Sequence, residues 1–283
     1  MEQVTGIEQA AEAGGLDWHG ALAALVWQAE LGVTEVIGDT PCDAYALPER
    51  LETPRSAAQP DRAAARPGRQ PSASQTPPAP AEPPEDSAAR AAAAAPDLPA
   101  LREAMAAFDL CELKLGARNL VFADGLPGAH VMIVGEAPGR EEDRSGRPFV
   151  GPAGQMLDRI FAAIGLSRQE TDPARALYIT NTMPWRPPGN RDPSPEEIAM
   201  MRPFLARHIE LARPRLLIAT GNTACAALLG QRGILRLRGQ WQDWRGHPLM
   251  PITHPSYLLH EPAAKREAWA DLLEIRARLD SLA

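Results

Sequence analysis

Cysteine is scarce in this chain of 283 residues: only Cys42, Cys111 and Cys225 occur, at unrelated spacings. They offer neither a disulfide framework nor a Cys-x-x-Cys metal pair, which suits a reducing cytoplasm. Long apolar runs are missing too. None approaches the ~20 residues of a membrane span, and the Met-Glu-Gln start lacks the basic and apolar leader of a secreted protein. A soluble cytoplasmic protein is the expectation. Aromatic residues are few and unevenly placed, with none between Tyr45 and Phe108. The same region is rich in proline, since Thr53 to Pro99 holds 11 of the 29 prolines, interrupted by Ala, Ser and Gln. Such a stretch buries too little apolar surface to offset the entropy of ordering it, so a disordered linker is predicted over 51–99. The five-alanine run Ala91 to Ala95 is too short to hold a helix alone.

Charge divides at the same place. Residues 1–100 carry 6 Lys+Arg against 15 Asp+Glu, a net of −9, whereas residues 101–283 carry 23 against 21, a net of +2. The overall −7 therefore belongs to the N-terminal third, and 21 of the 23 cations beyond it are arginine. Arginine forks onto phosphate, so this half is compatible with a nucleic-acid partner without requiring one.

Three segments follow: an acidic arm (1–50), the linker (51–99) and a folded domain (100–283). In the arm, Leu16 to Leu31 has the spacing of one amphipathic helix, with Asp17 as N-cap and Gly32 closing it. It would either dock a partner protein or pack back on the domain. From Leu101 onward strands and helices alternate. Strands are expected at Asn119–Phe122, Val131–Gly135, Leu177–Asn181, Arg215–Thr220 and Leu249–Thr253. Helices are expected over Leu101–Phe108, Met156–Ile164, Pro195–Leu211, Asn222–Leu229 and Ala263–Leu282. The pattern predicts an α/β fold, a three-layer α/β/α sandwich around a mainly parallel sheet of about four strands. Ligands of such sheets sit beyond the carboxyl ends of the strands.

Four unusual segments lie at those ends: GEAPGREED (Gly135 to Asp143), GRPFVGPAG (Gly146 to Gly154), TNTMPWRPPGNR (Thr180 to Arg191) and HPSYLL (His254 to Leu259). In their order and spacing they closely resemble the family 4 uracil-DNA glycosylases, a resemblance covering roughly residues 100 to 280. A glycosylase must flip a nucleotide out of the duplex, grip the base edge and stabilise the departing base as an anion while the sugar gains oxocarbenium character. That takes an amide, an aromatic ring, a hydrogen-bond donor and a carboxylate around one pocket. The resemblance assigns the amide to Asn181, which would donate to uracil O4 and accept from N3–H. It assigns the ring to Phe149, the donor to O2 to His254 and the carboxylate that activates water to Glu136. Ala137 lines the base pocket, and Glu142 stands near the base 5-position, where it hinders the methyl group of thymine. Ser256, Tyr257, Leu258 and Leu259 form the loop that enters the vacated base stack, and Arg186 and Arg191 contact the DNA backbone.

Relatives in this family usually carry a four-iron cluster on four cysteines. At the corresponding positions this chain has Phe108, Cys111, Trp185 and Met201. One thiolate cannot hold such a cluster, so no cofactor is expected, and the four side chains are expected to converge as a small core. The resemblance implies uracil removal from DNA by a monomer, with residues 1–100 dispensable for chemistry. Two rivals are a same-fold glycosylase for another deaminated base, such as hypoxanthine or xanthine, and a weakly catalytic DNA-binding module. Retention of Glu136, Phe149, Asn181 and His254 together speaks against the second.

Overall fold

The computed structural model describes residues 83–282, so the arm helix expected at Leu16–Leu31 and most of the proline-rich segment lie outside the described residues. The first element is α1 (Pro84–Ala94), followed by α2 (Leu98–Ala107) and the short α3 (Leu113–Gly116). Helix α1 corrects the expected linker, for it lies within 51–99 and includes most of the alanine run. Alone it would be marginal, but Ala88 and Ala92 are fully buried against the domain, and tertiary packing supplies what an isolated helix lacks. Arg207 fixes its end, donating from Nε and Nη2 to the Ala95 carbonyl at 3.1 and 2.8 Å. The described part of the folded domain thus opens with α1.

The core alternates as expected: β2 (Val131–Gly135), α4 (Arg140–Ser145), α5 (Pro152–Ala162), β3 (Leu177–Asn181), α6 (Pro195–Ala212), β4 (Leu216–Thr220) and α7 (Gly221–Leu229). A short α8 (Ile234–Leu237) and strands β5 (Gln242–Trp244) and β6 (His247–Ile252) follow, then α9 (Pro255–His260) and the closing α10 (Lys265–Ser281). The sheet order is β1-β3-β2-β4-β6-β5, where β1 is Asp124–Gly125. Its four central strands are parallel, and a short antiparallel strand borders each side. The expected sheet of about four strands is therefore six. Asn119–Phe122 forms no strand: the Val121 N–H donates instead to the Pro184 carbonyl at 2.9 Å, and edge pairing is made by Asp124–Gly125.

Strand side chains alternate between two cores, as the pleat requires. Met132, Val134, Tyr178, Leu217 and Ala219 face one, closed by α2, α6 and α7. Val131, Ile133, Leu177, Ile179, Leu216 and Ile218 face the other, closed by α5 and α10. This three-layer arrangement leaves the carboxyl ends of β3, β2, β4 and β6 at one rim.

Candidate active site

At that rim lies a cleft of about 640 Å³, lined among others by Glu136, Ala137, Glu142, Phe149, Asn181 and His254. The fold brings these together through register. Gly135 and Asn181 are partners in the parallel β2–β3 pair, so the Asn181 side chain emerges beside a residue that has none. A Cβ on Gly135 would come within 2.3 Å of Asn181 Oδ1 and 2.5 Å of Phe149 Cε2. Glycine is thus the space in which amide and ring meet. Asn181 is 7% exposed, yet its amide forms no hydrogen bond with any described residue. The residue is buried, but its amide opens on the cleft, where no described protein group competes for it.

Phe149 holds a left-handed backbone, φ 53°, unusual for an aromatic residue. Two side chains fix it there. Arg168 donates from Nη1 to the Pro148 carbonyl and from Nη2 to the Phe149 carbonyl at 2.9 and 3.0 Å, and is itself held by Asp124 and Asp158. Glu142 accepts from the N–H groups of Val150 and Gly151, each at 2.9 Å, and from that of Gly139 at 3.1 Å. The turn is gripped by its carbonyls on one side and its N–H groups on the other. Gly154 completes the fit, since a Cβ there would lie 1.8 Å from the Phe149 carbonyl oxygen. Arg168 was missed in the sequence because nothing marks a lone arginine between two strands as the anchor of a loop twenty residues earlier. The paired aspartates, 44 and 10 residues away, carry no local signal.

His254 caps α9, and its ring lies 5.7 Å from that of Phe149, tilted by 32°. The Ser256 N–H donates to His254 Nδ1 at 3.2 Å, and the Ser256 hydroxyl approaches the same nitrogen at 2.6 Å. An N–H can only donate, so Nδ1 is the acceptor and the neutral ring carries its proton on Nε2. Burial lowers the His254 pKa to about 4, against a smaller opposing pull from Glu142. Near neutral pH the site therefore presents an uncharged N–H donor. Burial has the opposite effect on Glu136, raising its carboxyl above the usual range, with Asp192 adding to the rise and Arg232 opposing it. The Thr223 hydroxyl faces that carboxyl and pulls its pKa back down, although the buried hydroxyl falls short of ordinary hydrogen-bond geometry.

The segment after His254 is helical rather than a loop, which corrects one assignment. Successive residues of a helix do not share a face, so Leu258 turns inward and is buried with Met156 and Ala268. Tyr257 and Leu259 remain exposed, and Tyr257 lines the cleft. A further exposed leucine on the cleft, Leu235, was not foreseen. Its turn is pinned by Asn222 Oδ1, which accepts from the N–H groups of Gly233 and Ile234 at 2.9 Å each. Of the two expected backbone-binding arginines, Arg191 is forked onto Glu197 at 2.9 and 2.6 Å. Arg186 donates from Nε to Asn190 Oδ1 at 2.7 Å and makes no other side-chain bond among the described residues.

Phe108, Cys111, Trp185 and Met201 are all buried in one hydrophobic core, where the Phe108 ring meets Phe204 edge-on at 5.3 Å. Burial pushes the Cys111 thiol up, away from the thiolate a metal takes, and that of Cys225 up to about 12. No group of three or more His, Cys, Asp or Glu is arranged to hold a metal among the described residues. The donor set at these positions does not fit a four-thiolate cluster.

Residues 122–273 match the model of the Uracil DNA glycosylase superfamily. The chain belongs to that superfamily. It is 40% identical over 152 residues to the Type-4 uracil-DNA glycosylase of Thermotoga maritima, covering 53% of this chain and 76% of the relative. Similarity to the Type-4 enzyme of Saccharolobus solfataricus is 35% over 181 residues, covering 60% and 81%. The Type-4 enzyme of Archaeoglobus fulgidus is 36% identical over 174 residues, covering 58% and 84%. The superfamily match takes in Glu136, Phe149, Asn181 and His254, and stops well short of the N-terminal arm.

Proposed function

We propose that this protein releases uracil from DNA by hydrolysing its N-glycosidic bond, the step that opens base excision repair. The observation that carries the reading is the Asn181 amide, which meets the Phe149 ring at Gly135 on the cleft and has no hydrogen-bond partner among the described residues. A flipped uracil stacked on Phe149 satisfies it, with Nδ2 donating to O4 and Oδ1 accepting from N3–H; cytosine presents the inverse pattern there. As the C1′–N1 bond breaks, its electron pair passes to the base, and His254 Nε2–H donates to O2, where the charge accumulates. Glu136 faces the sugar and takes a proton from the water that adds to C1′. Glu142, fixed by three backbone N–H groups, is a rigid wall toward the 5-position. Tyr257, Leu259 and Ser256 serve the DNA flank.

Release of free bases from single- and double-stranded oligonucleotides tests this, with hypoxanthine, xanthine, thymine and cytosine beside uracil. Uracil alone should be released efficiently, and faster release of another deaminated base would overturn the assignment. The pH profile is a second readout. Glu136 must be ionised, and its pKa is raised, so activity should fall with acidity through a midpoint above the usual carboxylate range. Glu136→Gln should remove that limb along with most of the rate.

In this reading the enzyme works without a metal cluster, as a monomer in the cytoplasm, and residues 1–50 serve a repair or replication protein. Purified protein should be colourless, with no visible iron–sulfur absorbance, and chelators should leave activity unchanged. Stoichiometric iron and sulfide would refute the cluster-free reading while leaving the reaction untouched.

A further inference from the structure

Among the described residues the Thr223 hydroxyl is the one side-chain polar atom shut off from the surface that lacks a hydrogen bond. Native proteins rarely leave such a group unsatisfied, so this one calls for a physical reason. Its neighbours show what is normal here. The hydroxyls of Thr180, Thr182 and Thr220, around the ends of β3 and β4, donate to the carbonyls of Phe122, Gly135 and Val134 at 2.7, 2.9 and 3.2 Å. Thr223 is the third residue of α7, where a threonine hydroxyl ordinarily returns to the carbonyl three or four residues earlier. This one does not.

Register places it against Glu136. Strands β2 and β4 are parallel with Val134 opposite Ala219, so two residues further on Glu136 stands level with Gly221, the first residue of α7. Helical side chains lean toward the N-terminus of their helix, which turns the third residue back over that point. Thr223 is accordingly the hydrogen-bonding side chain that faces the Glu136 carboxyl. The glutamate backbone is already fixed. Its carbonyl accepts from the Met183 N–H at 2.9 Å, and the preceding carbonyl, of Gly135, accepts from the Thr182 N–H and hydroxyl at 2.9 Å each. The other charged groups on the cleft leave its carboxyl unheld. Glu142 is engaged on backbone N–H groups and Arg191 on Glu197. His254 is neutral, and Asp192 and Arg232 reach Glu136 only through space, the first opposing its ionisation and the second favouring it. The start of α7 abuts His254 as well, since a Cβ on Gly221, whose φ is +82°, would lie 3.2 Å from His254 Cβ. One helix start thus borders both residues.

We propose that Thr223 is a positioning residue, whose hydroxyl donates to one oxygen of the Glu136 carboxylate and thereby leaves the other oxygen aimed at the water that adds to C1′. The water proton passes to that free oxygen, and Thr223 keeps its own. Threonine is stiff at χ1, so the closing movement falls to the longer glutamate side chain, and catalytic hydrogen bonds commonly tighten only in the reacting complex. The proposal rests on Glu136 being the base in the uracil reading of the cleft.

Single-turnover uracil release by the full-length protein, measured across pH, tests it. Thr223→Val keeps the shape and loses the hydroxyl. Its acid limb should move to higher pH, so that the rate falls on the order of 10-fold more on that limb than above it, the usual worth of one hydrogen bond to an ionised group. Affinity for the oligonucleotide should change little. Thr223→Ala, which removes the hydroxyl without adding a methyl group, should move the limb by the same amount, and Thr223→Ser should restore it. In the double variant Glu136→Gln, Thr223→Val, the second substitution should cost nothing further, because Thr223 acts only through the carboxylate. A limb unmoved in Thr223→Val and Thr223→Ala, or a loss that multiplies with that of Glu136→Gln, would overturn the positioning role. Retention of both rate and limb in Glu136→Gln would instead refute the reading of Glu136 as the base, and an unmodified protein that released no uracil would refute the uracil reading itself.

Discussion

Asn181→Asp is expected to lower uracil release by well over 10²-fold and to bring in slow release of cytosine. Among the described residues Asn181 carries the only buried side-chain amide lining the cleft, and an amide can both donate and accept toward a base edge. Replacing it with a carboxylate puts an acceptor opposite O4, itself an acceptor, and favours the amino group of cytosine. Asn181→Ala removes both bonds without repulsion. At about 1–3 kcal/mol for each buried group left unpaired, the loss is on the order of 10²-fold. Single-turnover rates on uracil and cytosine substrates decide the matter: a wild-type rate for Asn181→Ala would remove the base-reading role. Gly135→Ala offers an independent check, because its Cβ would fall 2.3 Å from Oδ1 and 2.5 Å from the Phe149 ring. It should lose activity as Asn181→Ala does, although residue 135 donates no chemistry of its own.

Strand positions were legible because fully buried parallel strands read as short apolar runs. VMIVG and LYITN occupy Val131–Gly135 and Leu177–Asn181 as expected, each buried along its length. The edge strands were not. Asp124–Gly125 pairs over two residues, too few for a period-two signal, while Asn119–Phe122, which looked like a strand, sends the Val121 N–H to Pro184 instead. Helix α1 was hidden by composition, since alanine and proline read as linker until a neighbouring surface gives the alanines something to bury against. The same limit applies to the site. The residues lining the cleft carried motifs, but what holds them was not legible: Arg168 lies in no motif, and Glu142, though inside one, acts on backbone N–H groups, where any sequence supplies the partner. Leu258 was misassigned because the HPSYLL segment reads as a loop, whereas three helical residues in a row point in different directions.

The proposed cluster-free reading requires that packing fill the space in which thiolates and a cluster would otherwise sit. A cluster and its thiolates occupy considerable volume, and leaving it empty would cost contacts throughout its lining. Phe108 and Trp185 are among the largest apolar side chains, and Met201 adapts to irregular gaps. With Cys111 they are all nearly inaccessible in a single core. This core lies under α2 and α6 and contributes to placing the segment from Trp185 to Asp192, which borders the cleft.

His254→Ala should reduce the single-turnover rate by about 10²–10³-fold, the usual loss for one preorganised donor at a developing anion, with a much smaller effect on DNA affinity. The size follows from timing: the bond from Nε2–H to O2 is weak while the base is neutral and strengthens as the glycosidic electrons arrive. The tautomer makes this specific. With Nδ1 accepting from the Ser256 N–H and hydroxyl, the proton is fixed on Nε2 without protonating the ring, and burial keeps the ring neutral down to a pKa of about 4. The sign is clear: a lowered histidine pKa means that the neutral donor persists through the whole neutral range, and charge appears only in acid. Activity should therefore show no basic limb near the ordinary histidine pKa of about 6.5. Ser256→Ala, which keeps the backbone N–H and loses only the hydroxyl, should cost far less than His254→Ala. Nitrogen chemical shifts of the imidazole report the tautomer directly, and should show Nε2–H unchanged from neutral pH down toward 5. A ring titrating near its ordinary value, with a rate that falls as it deprotonates, would make His254 a cationic catalyst and overturn the neutral-donor mechanism.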